Sequence, residues 1–189
     1  MRRTVLVSTL AAALIGAAAI TLPQLGLAAG EPMVGGAPMY PTKNIIENAV
    51  NSEDHTTLVA AVKAAGLVDT LSSPGPFMVF APTNEAFAML PKGTVDNLLR
   101  PENKEKLKKI LTSHVVGKAV LSDAINKMVA DDKGAHPVKT LSGAMLIAKN
   151  DNGKLTLTDE NGGVATVTIA DVKQSNGVIH VVDHVLLPK

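Results

Sequence analysis

Thr83, His114, His180 and His184 are the residues whose types and spacing could do chemistry. Thr83 sits in FMVFAPTNEAF (77–87), where an apolar run breaks at Pro82 and restarts as a helical pattern. Turns from strand to helix expose nucleophiles or bind phosphate in several enzyme classes, because the first helical N–H groups point at whatever sits there. A nucleophile at such a turn has flanking glycines, which let the backbone bend without a Cβ clash, and a base within reach. Thr83 instead lies between Pro82 and Asn84 with no glycine nearby. Its hydroxyl is suited to accept a backbone N–H of the first turn, and Glu85 favours the same positive end. Thr83 therefore reads as a helix N-cap, with Phe80, Phe87 and Leu90 anchoring the segment in the core.

His180 and His184 spell H-x-x-x-H, which on a helix would put two imidazoles on one face. The surrounding VIHVVDHVLL is rich in β-branched residues and reads as a strand. On a strand, residues four apart lie roughly 13 Å from one another, too far to share one ion. His114 continues the apolar face of Leu107, Ile110 and Leu111, and could approach either histidine only through the tertiary fold. These histidines read as buried rings bonded to backbone or hydroxyl, whereas His55 and His136 fall near expected surface turns. The acidic clusters Asp131-Asp132, Asp151 and Asp159-Glu160 lack the alternating ligands, central glycine and distant glutamate of a calcium loop. Walker, dinucleotide-binding, G-x-S-x-G and zincin patterns do not occur, so neither an enzyme nor a metal site is expected.

Composition narrows the classes further. A formal net charge of +1 in 189 residues provides no electrostatic basis for binding nucleic acid. Aromatics are 2% of the chain, which argues against base-stacking or sugar-stacking platforms. With no cysteine, disulfides, thiolate metal sites and a cysteine nucleophile are excluded. Met1-Arg2-Arg3, the Ala-rich apolar run after it and the small residues of LGLAAG have the plan of a signal peptide, residues 1–29, cleaved after Ala28 or Ala29. A retained membrane anchor is the competing reading of the same run. Cleavage leaves a nearly neutral chain of about 160 residues, periplasmic or secreted, with no membrane span, as a monomer or weak oligomer.

These residues need elements to position them. Residues 30–40, rich in Gly and Pro, read as a flexible lead-in to a single domain over 41–189. Thr42 is the expected cap of a first helix, Asp54 or Thr56 of a second ending at Gly66, and Ser122 of a late one. RPENKEKLKKILTSHVV has the clearest helical stripe, with Pro101 at its first position and four lysines around the apolar face. From Val138 onward the period is that of strands: VKTL, AMLIAK, KLTLT, VATVTIADV and VIHVVDHVLL, with NDNG and DENGG supplying hairpin turns. Helices first and a mostly antiparallel meander afterwards predict an α+β domain, with the Phe77–Phe80 run joining the sheet.

Several stretches together resemble one family. FMVFAPTNEAFAMLP resembles the first signature block of fasciclin domains, and SNGVIHVVDHVLLP, which contains His180 and Asp183, resembles the closing block. TVDNLLRPENKEKLKKILTSHVV and VKTLSGAMLIA are similar to the central helix and the start of the meander. The chain is identified as similar to the stand-alone bacterial, exported members. The resemblance implies a wedge of about seven β-strands with helices packed against it. It also implies an extracytoplasmic module for adhesion to cells, matrix or other surface partners, without enzymatic activity or a required cofactor. The partner expected here is a surface protein or polysaccharide. The family's tyrosine-histidine motif corresponds to Ser113 and His114, and its Asp-Ile motif to Asp171 and Val172, so the resemblance places partner contact there. The tyrosine is absent and Ile169-Ala170 replaces Glu-Pro, so an animal-type integrin partner is not implied. The alternative is a periplasmic carrier or sensor with a small apolar or acidic ligand between helices and sheet.

Overall fold

The computed structural model describes residues 31–189, and the expected signal peptide lies outside the described residues. The Gly- and Pro-rich stretch is not a loose lead-in. Met33–Val34 (β1) and Ala37–Pro38 (β2) pair antiparallel across Gly35-Gly36, and Val34, Ala37 and Met39 are buried in the core. Both glycines have positive φ, 55° and 74°, and a Cβ on Gly35 would run into Ser52 and the Asp54 backbone. Gly here supplies a conformation that other residues resist, rather than flexibility.

The helical half runs through α1 (Ile45–Ala49), α2 (Thr56–Ala65) and α3 (Val68–Ser72) to strand β3 (Phe77–Pro82). It resumes with α4 (Asn84–Ala88), α5 (Thr94–Leu98) and α6 (Lys104–Thr112), then the short β4 (Val115–Val116) and α7 (Ser122–Asp131). The caps differ from the local expectation at three starts. Asn44, not Thr42, caps α1 in a reciprocal box with Glu47. A 3₁₀ turn at Glu53–His55 precedes α2, and neither Asp54 nor Thr56 caps it. Instead the Asn84 side chain crosses over, accepting the Thr57 N–H at 3.0 Å and donating to the Glu53 carbonyl at 2.8 Å. Leu121 rather than Ser122 occupies the N-cap position of α7, and the capping group comes from elsewhere. At the other end of α2, Gly66 adopts φ 70° and closes the helix with the Leu67 N–H on the Val62 carbonyl at 3.0 Å.

The second half contributes β5 (His136–Lys139), β6 (Met145–Asp151), β7 (Lys154–Thr158), β8 (Val164–Gln174) and β9 (Gly177–Val182). Together with β3 and β4 they form a seven-stranded sheet in the order β4-β3-β9-β8-β7-β6-β5. Asn152-Gly153, with φ 52° and 87°, closes the β6–β7 hairpin as a two-residue turn. Neighbours are antiparallel except β3 and β9, which run parallel from Phe77↔Gly177 to Pro82↔Val182.

This pairing puts β3 in the middle of the molecule and explains its unbroken apolar sequence, since a strand covered on both faces has no solvent side to alternate with. Val79 and Ala81 face a core built with α2, α6, β1 and β2, including Leu58, Val62 and Leu111. Met78 and Phe80 face the other, with Ile125 and Val129 of α7 and Leu146, Leu157 and Leu186. The fold is thus α+β, with a nearly closed sheet between two cores.

Candidate functional site

Strand β8 carries Asp171 to its position by losing its regularity. The register against β9 slips between Val167 and Ile169 and again between Ile169 and Val172, and Asp171 adopts φ 61°. Such bulges insert an extra residue and re-aim its side chain. The Asp171 carboxylate turns to the start of α7, where Oδ1 accepts the Ser122 N–H at 2.7 Å and Oδ2 the Ser122 hydroxyl at 2.5 Å. A negative group at the positive end of a ten-residue helix is favourable, so Asp171 caps α7 from 49 residues away in sequence.

His180 completes the arrangement from β9. Its Nδ1 accepts the Asp171 N–H at 3.3 Å and its Nε2 lies 3.1 Å from the Val120 carbonyl, to which it donates. That pair of bonds assigns the neutral Nε2–H tautomer. Burial pushes the ring's pKa below its ordinary value, which keeps Nδ1 free to accept. The ring stacks on Phe80 with centroids 5.8 Å apart. The histidine holds the bulge and the start of α7 in register with each other.

A second histidine ties another seam. His114 follows α6, donating from Nδ1 to the Ile110 carbonyl at 2.8 Å and accepting the Leu186 N–H on Nε2 at 2.9 Å. It is fully enclosed, and desolvation lowers its pKa from 6.5 to about 4. Ser113 beside it donates its hydroxyl to Ile110 at 2.5 Å. Ser113, His114 and Val172 are 1%, 2% and 0% exposed. Three of the four residues that the resemblance assigns to partner contact therefore have buried side chains. The reason is positional: the end of α6 tucks under the C-terminal segment, and strand alternation after Asp171 turns Val172 inward.

The remaining candidates are placed as follows. Thr83 accepts the Ala86 N–H on its hydroxyl at 3.3 Å, in the geometry of an N-cap. Strand β9 ends at Val182, so His184 is not on it. His184 lies exposed in the following bend, with Nδ1 2.8 Å from Asp183. Asp183 also accepts the Thr166 N–H at 2.7 Å, joining that bend to β8. His55, expected at a surface turn, is buried with Nδ1 2.8 Å from the Ser52 hydroxyl, in a segment that the β1–β2 turn joins through the Glu53 N–H on the Gly35 carbonyl at 3.0 Å. Among the described residues, no group of three or more His, Asp or Glu is placed to hold a metal ion.

Three further polar residues matter, of which the residue patterns singled out only Asp159, and that as a rejected calcium ligand. Asn176 caps the start of α1 through the Ile45 N–H at 3.0 Å and donates to the Leu71 and Ser73 carbonyls at 2.8 and 3.0 Å. Asn48 is wholly buried, accepting the Tyr40 N–H at 3.0 Å and bonding the Gln174 side chain. Asp159 lies in the turn after β7, is buried, and accepts the N–H groups of Asn161, Gly163 and Leu187 at 2.7 to 2.9 Å. For Asn176 and Asn48 the sequence signal was an Asn next to glycine and an Asn inside an apolar face.

A family model described as the fasciclin domain matches residues 53–188. The chain belongs to the fasciclin domain family. Among its relatives, this fasciclin domain is 47% identical over 177 residues to Protein sll1483 of Synechocystis, covering 86% of this chain and 91% of that protein. It is 36% identical to the immunogenic protein MPB70 of Mycobacterium bovis, over 74% of this chain and 66% of that one. It is 38% identical to transforming growth factor-beta-induced protein ig-h3 of Sus scrofa, over 69% of this chain but only 17% of that one. Among solved structures it is similar to a domain pair from the insect cell adhesion molecule fasciclin I, with TM-score 0.53 and 26% identity. That likeness covers 69% of this chain and 43% of the other. Among the described residues, no helix of this fasciclin domain is long and apolar enough to cross a membrane.

Proposed function

We infer that this fasciclin domain is an exported, non-catalytic recognition module that adheres to a surface protein or polysaccharide. The observation that supports it is how the polar side chains are used. His114, His180, Asp171 and Asp159 all bond backbone groups of the domain itself. Groups held this way fix seams between elements; they are not poised to exchange a proton with a substrate. The charged, apolar, small-residue order at the N-terminus supports export. The name of the insect relative, a cell adhesion molecule, supports the adhesive reading by kinship.

Asp171 and Val172 then act beneath the contact surface by holding its shape. The exposed residues around them include Leu121 and Lys173, which line a shallow groove of about 590 Å³ with Pro76 and Ser175. The test uses beads coated with the full chain, presented to the host's own cells and to its isolated envelope polysaccharide. Leu121→Ser with Lys173→Glu should lower adhesion while leaving the melting temperature unchanged. Wild-type beads that adhere to neither cells nor polysaccharide would sink the reading.

A further inference from the structure

The sheet is nearly a barrel, and where it fails to close it leaves a groove. Strands β4 and β5 are the two ends of the strand order. They are stitched at one end by the Leu141 N–H on the Val115 carbonyl at 2.7 Å and the Ser142 N–H on the Thr112 carbonyl at 3.3 Å. Beyond that stitch, between Val116–Lys118 and His136–Lys139 and beside α7, lies a groove of about 460 Å³. Met78, Val116, Ile125 and Val138 are buried beneath it, and Val120 and Met128 are half-buried along it. Its ionisable lining is Lys118, Lys139 and His136, with no carboxylate among the lining residues. The His136 ring is already answered by Asp132, 2.6 Å from its Nδ1. Lys118 and Lys139 are exposed and have no ion-pair partner among the described residues.

Two kinds of occupant fit an apolar groove between sheet edges: an added peptide strand and a small amphiphile. The edges themselves decide between them. Strand β4 is two residues long, and β5 is four with Pro137 inside it. Short edges carrying a proline offer few backbone donors and resist strand addition. The volume lies within the roughly 300–1,000 Å³ range of small-molecule sites, lined mainly by apolar groups with a few placed polar ones. Two uncompensated ammonium groups over an apolar lining call for an anionic head on an apolar tail.

We propose that this groove binds a long-chain fatty acid, its single alkyl chain lying along Met128, Val120 and Val138 and its carboxylate between Lys118 and Lys139. The two grooves flank the same 118–121 segment but share no lining residue, and the two tests alter different residues, so failure here and failure of the adhesive reading are distinguishable. The full chain, stripped of bound lipid, is titrated with palmitate by calorimetry. In parallel it is titrated with uncharged hexadecanol and sedimented with vesicles of anionic phospholipid. Palmitate should bind one to one and more weakly as salt rises, with hexadecanol markedly weaker. Lys118→Glu with Lys139→Glu should weaken palmitate binding by roughly tenfold or more at unchanged melting temperature, since both substitutions are on exposed side chains. Absence of palmitate binding to the wild type overturns the proposal, as does binding indifferent to the lysine pair or equal for hexadecanol. Sedimentation with vesicles in the absence of palmitate binding assigns the lysines to a membrane surface instead, and overturns it equally.

Discussion

Asp171 combines a backbone conformation that L-residues resist with a carboxylate that the start of α7 needs. Those two demands select the residue type, because Asp and Asn tolerate left-handed φ better than most and both can cap. The substitution series should therefore be graded. Asp171→Asn keeps the backbone preference and one acceptor, and should cost less than about 1 kcal/mol. Asp171→Ala loses the cap and adds strain, and should cost about 2–3 kcal/mol. Urea unfolding of both variants measures the gap. Equal stability of the Ala variant and wild type would show that the capping geometry contributes nothing. A loss of bead adhesion in Asp171→Asn at wild-type stability would return the carboxylate to the contact surface.

At the scale of elements, the segment from β3 into α4 is where strand and helix requirements meet. Phe80 is wholly enclosed, stacked on His180 in the core that α7 covers, while Thr83 three residues later serves only the first turn of a five-residue helix. Their substitutions should differ accordingly. Phe80→Ala should cost roughly 3–5 kcal/mol by opening a cavity, and Thr83→Ala about 1 kcal/mol by removing one cap. The neighbouring Asn84 links α2 to α4 instead of capping its own helix, so the turn joins two helices as well as starting one. Chemical denaturation resolves both values. A Thr83→Ala variant of native stability that has lost a binding or catalytic activity would place chemistry at this turn after all.

For the whole molecule, the buried histidines set the acid limit of the fold. Desolvation holds His55, His114 and His180 below the ordinary histidine pKa, His114 at about 4. Each is neutral in the folded state, while in the unfolded chain each takes up a proton near pH 6.5. Between those two values the unfolded state binds more protons, so stability is fully present above about pH 6.5 and falls as the solution is acidified. At about 1.4 kcal/mol per unit, His114 alone accounts for about 3 kcal/mol lost by pH 4. Urea midpoints should be flat from pH 8 to 7 and drop steadily below 6.5, with a shallower drop in His114→Gln. A midpoint constant down to pH 4.5 would contradict this account.

Local pattern determined the types of the main elements. The stripe of Leu107, Ile110 and Leu111 makes a helix, alternation in KLTLT makes a strand, and Asn152-Gly153 makes a tight turn. Each follows from forces acting within a few residues, and so does the Thr83 cap. The ordered signature blocks were likewise legible, and with them the family. What only the tertiary structure decided is which distant groups satisfy one another. Asp171 caps α7 across 49 residues and Asn84 caps α2 across 27, and no window along the chain contains both partners. The lead-in reads as flexible because Gly and Pro are common in loops, yet it is ordered by burial of Val34 and Met39, a gain that exists only once the core is there to receive them. Burial of Ser113, His114 and Val172 is decided in the same way, because exposure is a property of the packed molecule and not of a motif. The groove between β4 and β5 follows from two sheet edges tied together at one end only, one before α7 in the chain and one after it, a meeting that neither edge encodes alone.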